Sequence, residues 1–288
     1  MKANKKRLYS DVSYLTGIRP YRNWQNLKSL EIVANHIKSE FNNAGLDVEE
    51  QEWIAAGNPY KNIIASYNPQ KAKRLIIGAH YDVAGDQPGA DDNASGIAGL
   101  LEVARLVAAN GPEIDYRIDF VAYCLEEPPF FGGPEMGSHV HAKSLNDNNV
   151  EVLGMICFEM IGYFSEISGS QPNPVPELAS DIPDVGNFIA VVGIEKHRDF
   201  NEKVQQLMWE NEEIDTHVIS FPADNPYTGL SDQRNYYKFG YQAVMITDTA
   251  TVRNGHNYHM ASDTIDTLNF DKMTEVVNSA YVAVVQLL

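Results

Sequence analysis

Cysteine is scarce in this chain. Among 288 residues only Cys124 and Cys157 are cysteines, too few for a disulfide framework, so both are expected to pack as buried, unpaired thiols. Basic residues are short as well: 22 Lys and Arg stand against 39 Asp and Glu, a formal net charge of −17. A chain this acidic lacks the basic face that neutralises phosphates, which argues against nucleic acid or an anionic membrane surface as partners. No apolar run approaches the ~18 residues a membrane span needs. The basic opening Met1-Lys2-Ala3-Asn4-Lys5-Lys6-Arg7 has no apolar stretch behind it, so it does not read as a signal peptide. A cytoplasmic protein is the expectation. Repeats, low-complexity tracts and Gly/Ser/Pro linkers are also missing, and residues 1–288 are expected to form a single domain.

What is present is the balance of a globular protein with a sizeable core: 44% hydrophobic and 21% charged residues. Trp24, Leu27, Leu30, Val33, Ile37 and Phe41 recur at helical spacing and predict a helix from about Trp24 to Asn43, stopped by Gly45. Phe270, Met273, Val277, Tyr281, Val284 and Leu288 predict another at the end of the chain. Between them, Asn62–Tyr67, Arg74–Ala79, Arg117–Cys124, Val152–Phe158, Phe188–Ile194, His217–Phe221 and Ala243–Thr247 read as strands. Several are apolar continuously, as suits strands covered on both faces. Helical patterns at Asn93–Asn110 and Phe200–Asn211 alternate with them, and this alternation predicts an α/β sandwich around a mostly parallel sheet. In such folds ligands bind beyond the carboxyl ends of the strands.

Those ends carry reactive groups. Arg74–Ala79 runs into His80-Tyr81-Asp82, and Asp91-Asp92-Asn93 follows before the next helix. Arg117–Cys124 leads to Glu126-Glu127, Val152–Phe158 to Glu159, and Ala243–Thr247 towards His256-Asn257-Tyr258-His259. Taken singly, each has an ordinary explanation. The aspartates suit a helix N-cap, and Glu126-Glu127 suits a solvated strand end. Glu159 is harder to dismiss, because it interrupts an apolar run where a lone carboxylate is costly. Together, imidazoles and carboxylates converging on one edge would repel one another without a cation. They match the ligand set of zinc, or of manganese or cobalt.

The ordered set His80-x-Asp82, Gly89-Ala90-Asp91-Asp92-Asn93-Ala94-Ser95-Gly96, Glu126-Glu127, Glu159 and His259-x-x-x-Asp263-Thr264 resembles metallopeptidase family twenty-eight, the cocatalytic zinc aminopeptidases. The likeness extends from about Leu15 to Leu268. It implies a three-layer α/β/α sandwich around a mixed, mostly parallel twisted sheet, as in zinc exopeptidases. It also implies two zinc ions per chain, with Mn or Co as substitutes. By the same resemblance His80 and Glu159 would bind one metal, Glu127 and His259 the other, and Asp91 would bridge them, followed by a cis peptide. Asp82 would orient His80, and Glu126 would be the general base. The implied reaction is hydrolysis of N-terminal residues from peptides with a free N-terminus, by a hydroxide held between the metals.

Some positions depart from the pattern. Ser231-Asp232-Gln233 stands where many members read Ser-Asp-His, and Pro128–Pro134 replaces a shorter segment. Glu159 stands where many members have Asp. His139-Val140-His141 is expected at the surface of a helix, and His259 rather than His256 is favoured as ligand. Tyr227, in a loop before Asp232, is a candidate hydrogen-bond donor to the reacting centre, and Phe164–Pro183 and Phe221–Leu230 are expected to shape the pocket. Glutaminyl cyclases resemble the same family but use one zinc and commonly carry Trp before the final His, where this chain has Tyr258. A non-catalytic binding module is the remaining alternative. Against it, every ligand position holds a competent residue. A carboxypeptidase reading is disfavoured because no Arg cluster for a carboxylate is evident.

Overall fold

A computed structural model describes residues 1–176 and 182–288. Eight strands form one sheet: β1 (Asp47–Ala55), β2 (Asn58–Tyr67), β3 (Arg74–His80), β4 (Arg117–Tyr123), β5 (Val152–Phe158), β6 (Ile189–Ile194), β7 (Thr216–Phe221) and β8 (Ala243–Thr247). Their order across the sheet is β1-β2-β4-β3-β5-β8-β6-β7. The central block β4-β3-β5-β8 is parallel throughout. Antiparallel pairs flank it, β1 with β2, β2 with β4, and β6 with β8, while β7 runs parallel to β6.

The central strands are sealed on both faces, as their unbroken apolar runs predict. On β4, Ile118, Phe120 and Ala122 join one core while Val121 and Tyr123 join the other, the alternation a pleated strand imposes. The larger core is roofed by α1 (Lys5–Gly17), α2 (Leu27–Asn43), α3 (Gly96–Asn110), α5 (Arg198–Trp209) and α8 (Phe270–Val285). Short helices α4 (Gly137–Asp147) and α6 (Gln233–Lys238) cover the opposite face, and α7 (Thr251–Asn254) sits in the loop after β8. A mixed, mostly parallel sheet between two helical layers is therefore the fold. Among the described residues no helix is long and apolar enough to cross a membrane.

Three elements differ from expectation. Helix α1 was not anticipated, although Leu8, Val12 and Leu15 bury one face of it. Its cap, Asn4, accepts from the backbone N–H groups of Lys6 and Arg7. Arg105 then ties α1 and α2 to α3 through Asp11 and Glu40, each at 2.6 Å. Strand β1 was not anticipated either. Its sequence Asp-Val-Glu-Glu-Gln-Glu-Trp-Ile-Ala is mostly half-exposed at the sheet edge, and an edge strand does not need an apolar run. It turns into β2 at Ala56-Gly57, both with positive φ, the two-residue hairpin geometry that matches strand twist. Finally, α2 begins at Leu27 rather than Trp24. Trp24 packs edge-on against Phe130 instead, ring centroids 5.5 Å apart.

Candidate metal centre

The parallel block delivers its carboxyl ends side by side. His80 closes β3, Glu126 and Glu127 follow β4, Glu159 follows β5, and the loop after β8 carries His259. The sixth group comes from the tight turn before α3, residues Ala90–Ser95. That turn starts at Gly89, φ +59°, where a Cβ would stand 2.3 Å from the Asp92 carbonyl oxygen. Only glycine fits there.

The carboxylate that stands between the two imidazoles is that of Asp92, where the resemblance implied Asp91. Asp92 Oδ1 lies 3.3 Å from His80 Nε2, and Asp92 Oδ2 lies 3.2 Å from His259 Nε2. Glu159 Oε2 is 3.2 Å from the first imidazole, and Glu127 Oε2 is 3.1 Å from the second. Three candidate ligand groups result, His80-Asp92-Glu159, Asp92-Glu127-His259 and His80-Glu126-Glu127, with Asp92 common to the first two. Asp91 faces away. Its oxygens accept from Gly162 N at 3.0 Å and Asn254 Nδ2 at 2.7 Å. The reason is local: Asp92 has φ −100° and ψ 94°, outside the helical region, so two adjacent side chains leave the turn in different directions. The cis peptide likewise follows Asp92, at Asp92–Asn93.

Asp82 stands behind the cluster. Its carboxylate accepts from the backbone N–H of Glu126 and of Glu127, both at 3.1 Å. The group facing His80 Nδ1 is the Asp82 carbonyl oxygen at 3.2 Å, while its nearest carboxylate oxygen is 3.7 Å away. Asp82 thus orients the acidic pair as well as the imidazole. Asp263, from the motif that ends in Asp263-Thr264, has a task that its place in the sequence does not show. Its two oxygens accept from Asp91 N at 2.8 Å and Asp92 N at 3.0 Å, holding the turn. Two further residues support the site in roles the sequence does not show. Ser231 Oγ donates to Glu159 Oε2 at 2.5 Å, and fully buried Arg22 clamps the carbonyls of Tyr81, Pro88 and Gly89.

Packing this much charge below the surface shifts the titration of all six groups of the cluster. Burial pushes Glu126 up, and Glu127, Glu159 and Asp232 add to it against the pull of His80, leaving its carboxyl well above the usual range. Burial, with Asp92 adjacent, lifts Glu127 to about 8. Burial alone would lower both imidazoles. The surrounding carboxylates outweigh it, chiefly Glu159 and Glu126 at His80 and Asp92 and Glu127 at His259, so His80 rises well above its ordinary value and His259 to about 10. Asp92, whose carboxylate faces both rings, is held low by them despite its burial. Buried Asp92 Oδ2, Glu127 Oε1 and His259 Nε2 have no hydrogen-bond partner among the described residues. Orphaned carboxylate and imidazole atoms facing one another fit divalent cations, and this N/O donor set suits zinc.

An apolar cavity of about 220 Å³ opens beside the cluster. Asp92, Glu126, Glu127, Glu159 and His259 form one wall, with Met160, Val192, Ile219, Phe221 and Met245 among the others. Tyr227 lines it, stacked on Phe221 at 5.9 Å. The loops Phe164–Pro183 and Phe221–Leu230 both contribute, through Gln171 to Val175, Ile182, Tyr227 and Leu230. Residues 177–181 of the first lie outside the described residues. Tyr258 stacks on His259 at 3.8 Å, and His256 turns outward against Tyr163. His141, expected at the surface, is buried instead, with Nδ1 2.6 Å from the Tyr236 hydroxyl. Half-buried His139 packs against Phe239. Cys124 and Cys157 are buried and unpaired.

Known proteins are similar to this chain in sequence or in fold. The chain is 43% identical over 286 residues to the uncharacterized protein YfbL of Escherichia coli (strain K12), covering 96% of this chain and 86% of that one. It is 23% identical over 293 residues to leucine aminopeptidase 1 of Sclerotinia sclerotiorum, covering 94% of this chain and 68% of that protein. Among solved structures, the LapA aminopeptidase of Legionella pneumophila superposes with a TM-score of 0.80 at 20% identity, over 99% of this chain and 72% of that one. A glutaminyl cyclase from Bacteroides thetaiotaomicron superposes with a TM-score of 0.72 at 19% identity, over 99% and 98%. The model of peptidase family M28 matches residues 62–284, a span holding β3, β4, β5, β8 and every group of the cluster, and the chain is a member of that family.

Proposed function

We propose that this chain is a metal-dependent aminopeptidase that removes an apolar N-terminal residue from peptides with a free α-amino group. The observation that carries the reading is the symmetry of Asp92: one oxygen towards His80, the other towards His259, each imidazole with its own glutamate. That arrangement suits two cations sharing a carboxylate. Once bound, such cations lower the pKa of water and polarise the scissile carbonyl.

The chain's own residues supply the rest. His80, Asp92 and Glu159 would hold one ion, and Asp92, Glu127 and His259 the other. Glu126 groups with His80 and Glu127 as well but is assigned here to neither ion; it lies 3.9 Å from His80 Nε2 and on the cavity wall. It is the group left to take a proton from the attacking water and return it to the leaving amine. Its backbone is fixed by Asp82, so the carboxylate is aimed before substrate arrives. The substrate's ammonium would meet the acidic wall and its side chain the apolar cavity.

The test combines metal content with turnover of leucyl-alanine and its N-acetyl derivative. About two zinc per chain, with cleavage of the unblocked dipeptide alone, is expected. Glu126→Gln should keep its metal and lose about 10²–10⁴ in kcat. A second reading, glutaminyl cyclisation, draws on the shared fold. One zinc per chain and ammonia release from an N-terminal glutamine, without peptide cleavage, would favour it. Tyr258 against His259 argues for the peptidase, since the cyclase pattern has Trp there.

A further inference from the structure

Arg234 is an arginine without an acceptor. It sits on α6, half-buried, with its guanidinium over the Phe131 ring at 4.4 Å from the centroid. A Cβ placed on Gly132 would stand 3.4 Å from Nη1 and Nη2, and Gly229 crowds its stem from the other side. Among the described residues its guanidinium donates no hydrogen bond and forms no ion pair. The other buried arginines near the site are engaged: Arg22 with three carbonyls, Arg253 with Gln171 Oε1 and the carbonyls of Tyr163 and Phe188. One turn along α6, Lys238 gives its ammonium only to neutral groups, the Gly132 carbonyl and Asn235 Oδ1. Like charges four residues apart repel. With 39 acids against 22 bases in the chain, two cations left together without an acid is a pattern that calls for an anion.

The location says which anion. Phe131 and Pro128 line the cavity and belong to the loop that follows Glu126-Glu127 after β4. The apolar wall of Val192, Ile219 and Met245 belongs to β6, β7 and β8, on the far side of β3 and β5 in the sheet. A peptide whose first side chain fills that wall passes its scissile bond over the cluster and directs its leaving amine towards Glu126. Arg234 lies behind that side of the cavity, its guanidinium over the lining residue Phe131, and burial lowers its pKa while the charge of Glu126 restrains the fall. A planar guanidinium braced on an aromatic ring presents paired N–H groups that match a carboxylate. The neighbouring acidic cluster would otherwise repel such a group.

We propose that Arg234 recognises a carboxylate on the leaving-group side of the scissile bond, so that the site selects short peptides, dipeptides above all, by their free C-terminus. The inference rests on the aminopeptidase reading and adds a substrate length to it. The same chemistry has a second source, an acidic side chain at the second residue.

The experiment compares kcat/KM for leucyl-alanine, leucyl-alanine amide and leucyl-aspartate α-amide in the wild type, Arg234→Met and Arg234→Lys. The wild type should prefer the free acid over the amide by about tenfold or more, mainly through KM. The ratio should fall to about one in Arg234→Met and lie between in Arg234→Lys. Because each ratio is internal to one preparation, partial misfolding does not distort it, and Arg234→Lys reports it if Arg234→Met fails to fold. Rescue of the amide by the aspartyl side chain would make that carboxylate an equal source. Equal rates for acid and amide in the wild type, or a preference that survives Arg234→Met, would overturn the assignment. No cleavage of any unblocked dipeptide sinks the aminopeptidase reading, and this inference with it.

Discussion

At the scale of single residues, the adjacent aspartates of the turn before α3 have separate tasks. Asp92 links two imidazoles, while Asp91 takes the side-chain amide of Asn254 and the N–H of Gly162, and Asp248 sits close enough to raise its pKa further above what burial does. Asp92→Asn is expected to lose bound metal and at least about a hundredfold in kcat/KM. Asp91→Asn should keep its metal and lose no more than the ~10–100-fold typical of groups that orient ligands. Metal analysis beside kinetics separates the two, and the reverse pattern would restore Asp91 as the bridge. His141 offers a test of stability. Burial holds its imidazole down at about 4, whereas in the unfolded chain it titrates near 6.5. Above pH 6.5 it is neutral in both states and costs nothing. As pH falls from 6.5 to 4 only the unfolded chain gains the proton, so stability drops over that window. Between pH 7.5 and 5 the wild type should lose about 2 kcal/mol more than His141→Gln, read from urea midpoints.

At the scale of elements, the site depends on strand ends held in register. Gly78 pairs with Val121 two residues before His80, and a Cβ there would meet the Tyr123 ring at 2.2 Å. That ring cannot easily retreat, because its hydroxyl is hydrogen-bonded to Tyr236 at 2.7 Å. Gly78→Ala should therefore cost about 1–3 kcal/mol by overpacking, with a lower urea midpoint. Gly17→Ala, at the end of α1 where nothing lies within 4 Å, should be neutral or slightly stabilising. Just past the strands the backbone departs from regularity. Leu125, Met160 and His259 all have positive φ, at 64°, 52° and 57°, each next to or within the cluster. Such conformations cost about 1–3 kcal/mol apiece and persist where the surroundings over-determine them.

At the scale of the whole molecule, the cluster joins parts of the chain far apart in sequence: β3, the turn before α3, the ends of β4 and β5, and the loop that carries His259. Cations held there would offset the mutual repulsion of four buried carboxylates and bind the folded state alone. At a hundred times the dissociation constant this stabilises by about 2.7 kcal/mol. A chelator should accordingly lower Tm by about 5 °C or more, an effect absent in Asp92→Asn. An unchanged Tm in the wild type would remove the cluster from the list of metal sites.

Patterning along the chain was enough to specify the layered fold and the set of converging groups. Continuous apolar runs force strands inward on both faces, and parallel strands then bring His80, Glu126, Glu127 and Glu159 to one edge whatever the loops do. It did not reveal β1 or α1. The first is polar because it lies at an edge, and the second precedes the stretch where periodicity is strongest. The choice between Asp91 and Asp92 came from long-range packing, because the direction of a side chain in a non-helical turn depends on partners more than sixty residues away, Gly162, Asn254 and Asp263. Such packing also decided that His141 is buried, since an imidazole on a short helix shows no sign in sequence of the tyrosine that will meet it. The unengaged charge of Arg234 emerged in the same way. A guanidinium is free or occupied only relative to acceptors that long-range packing brings near or leaves out of reach.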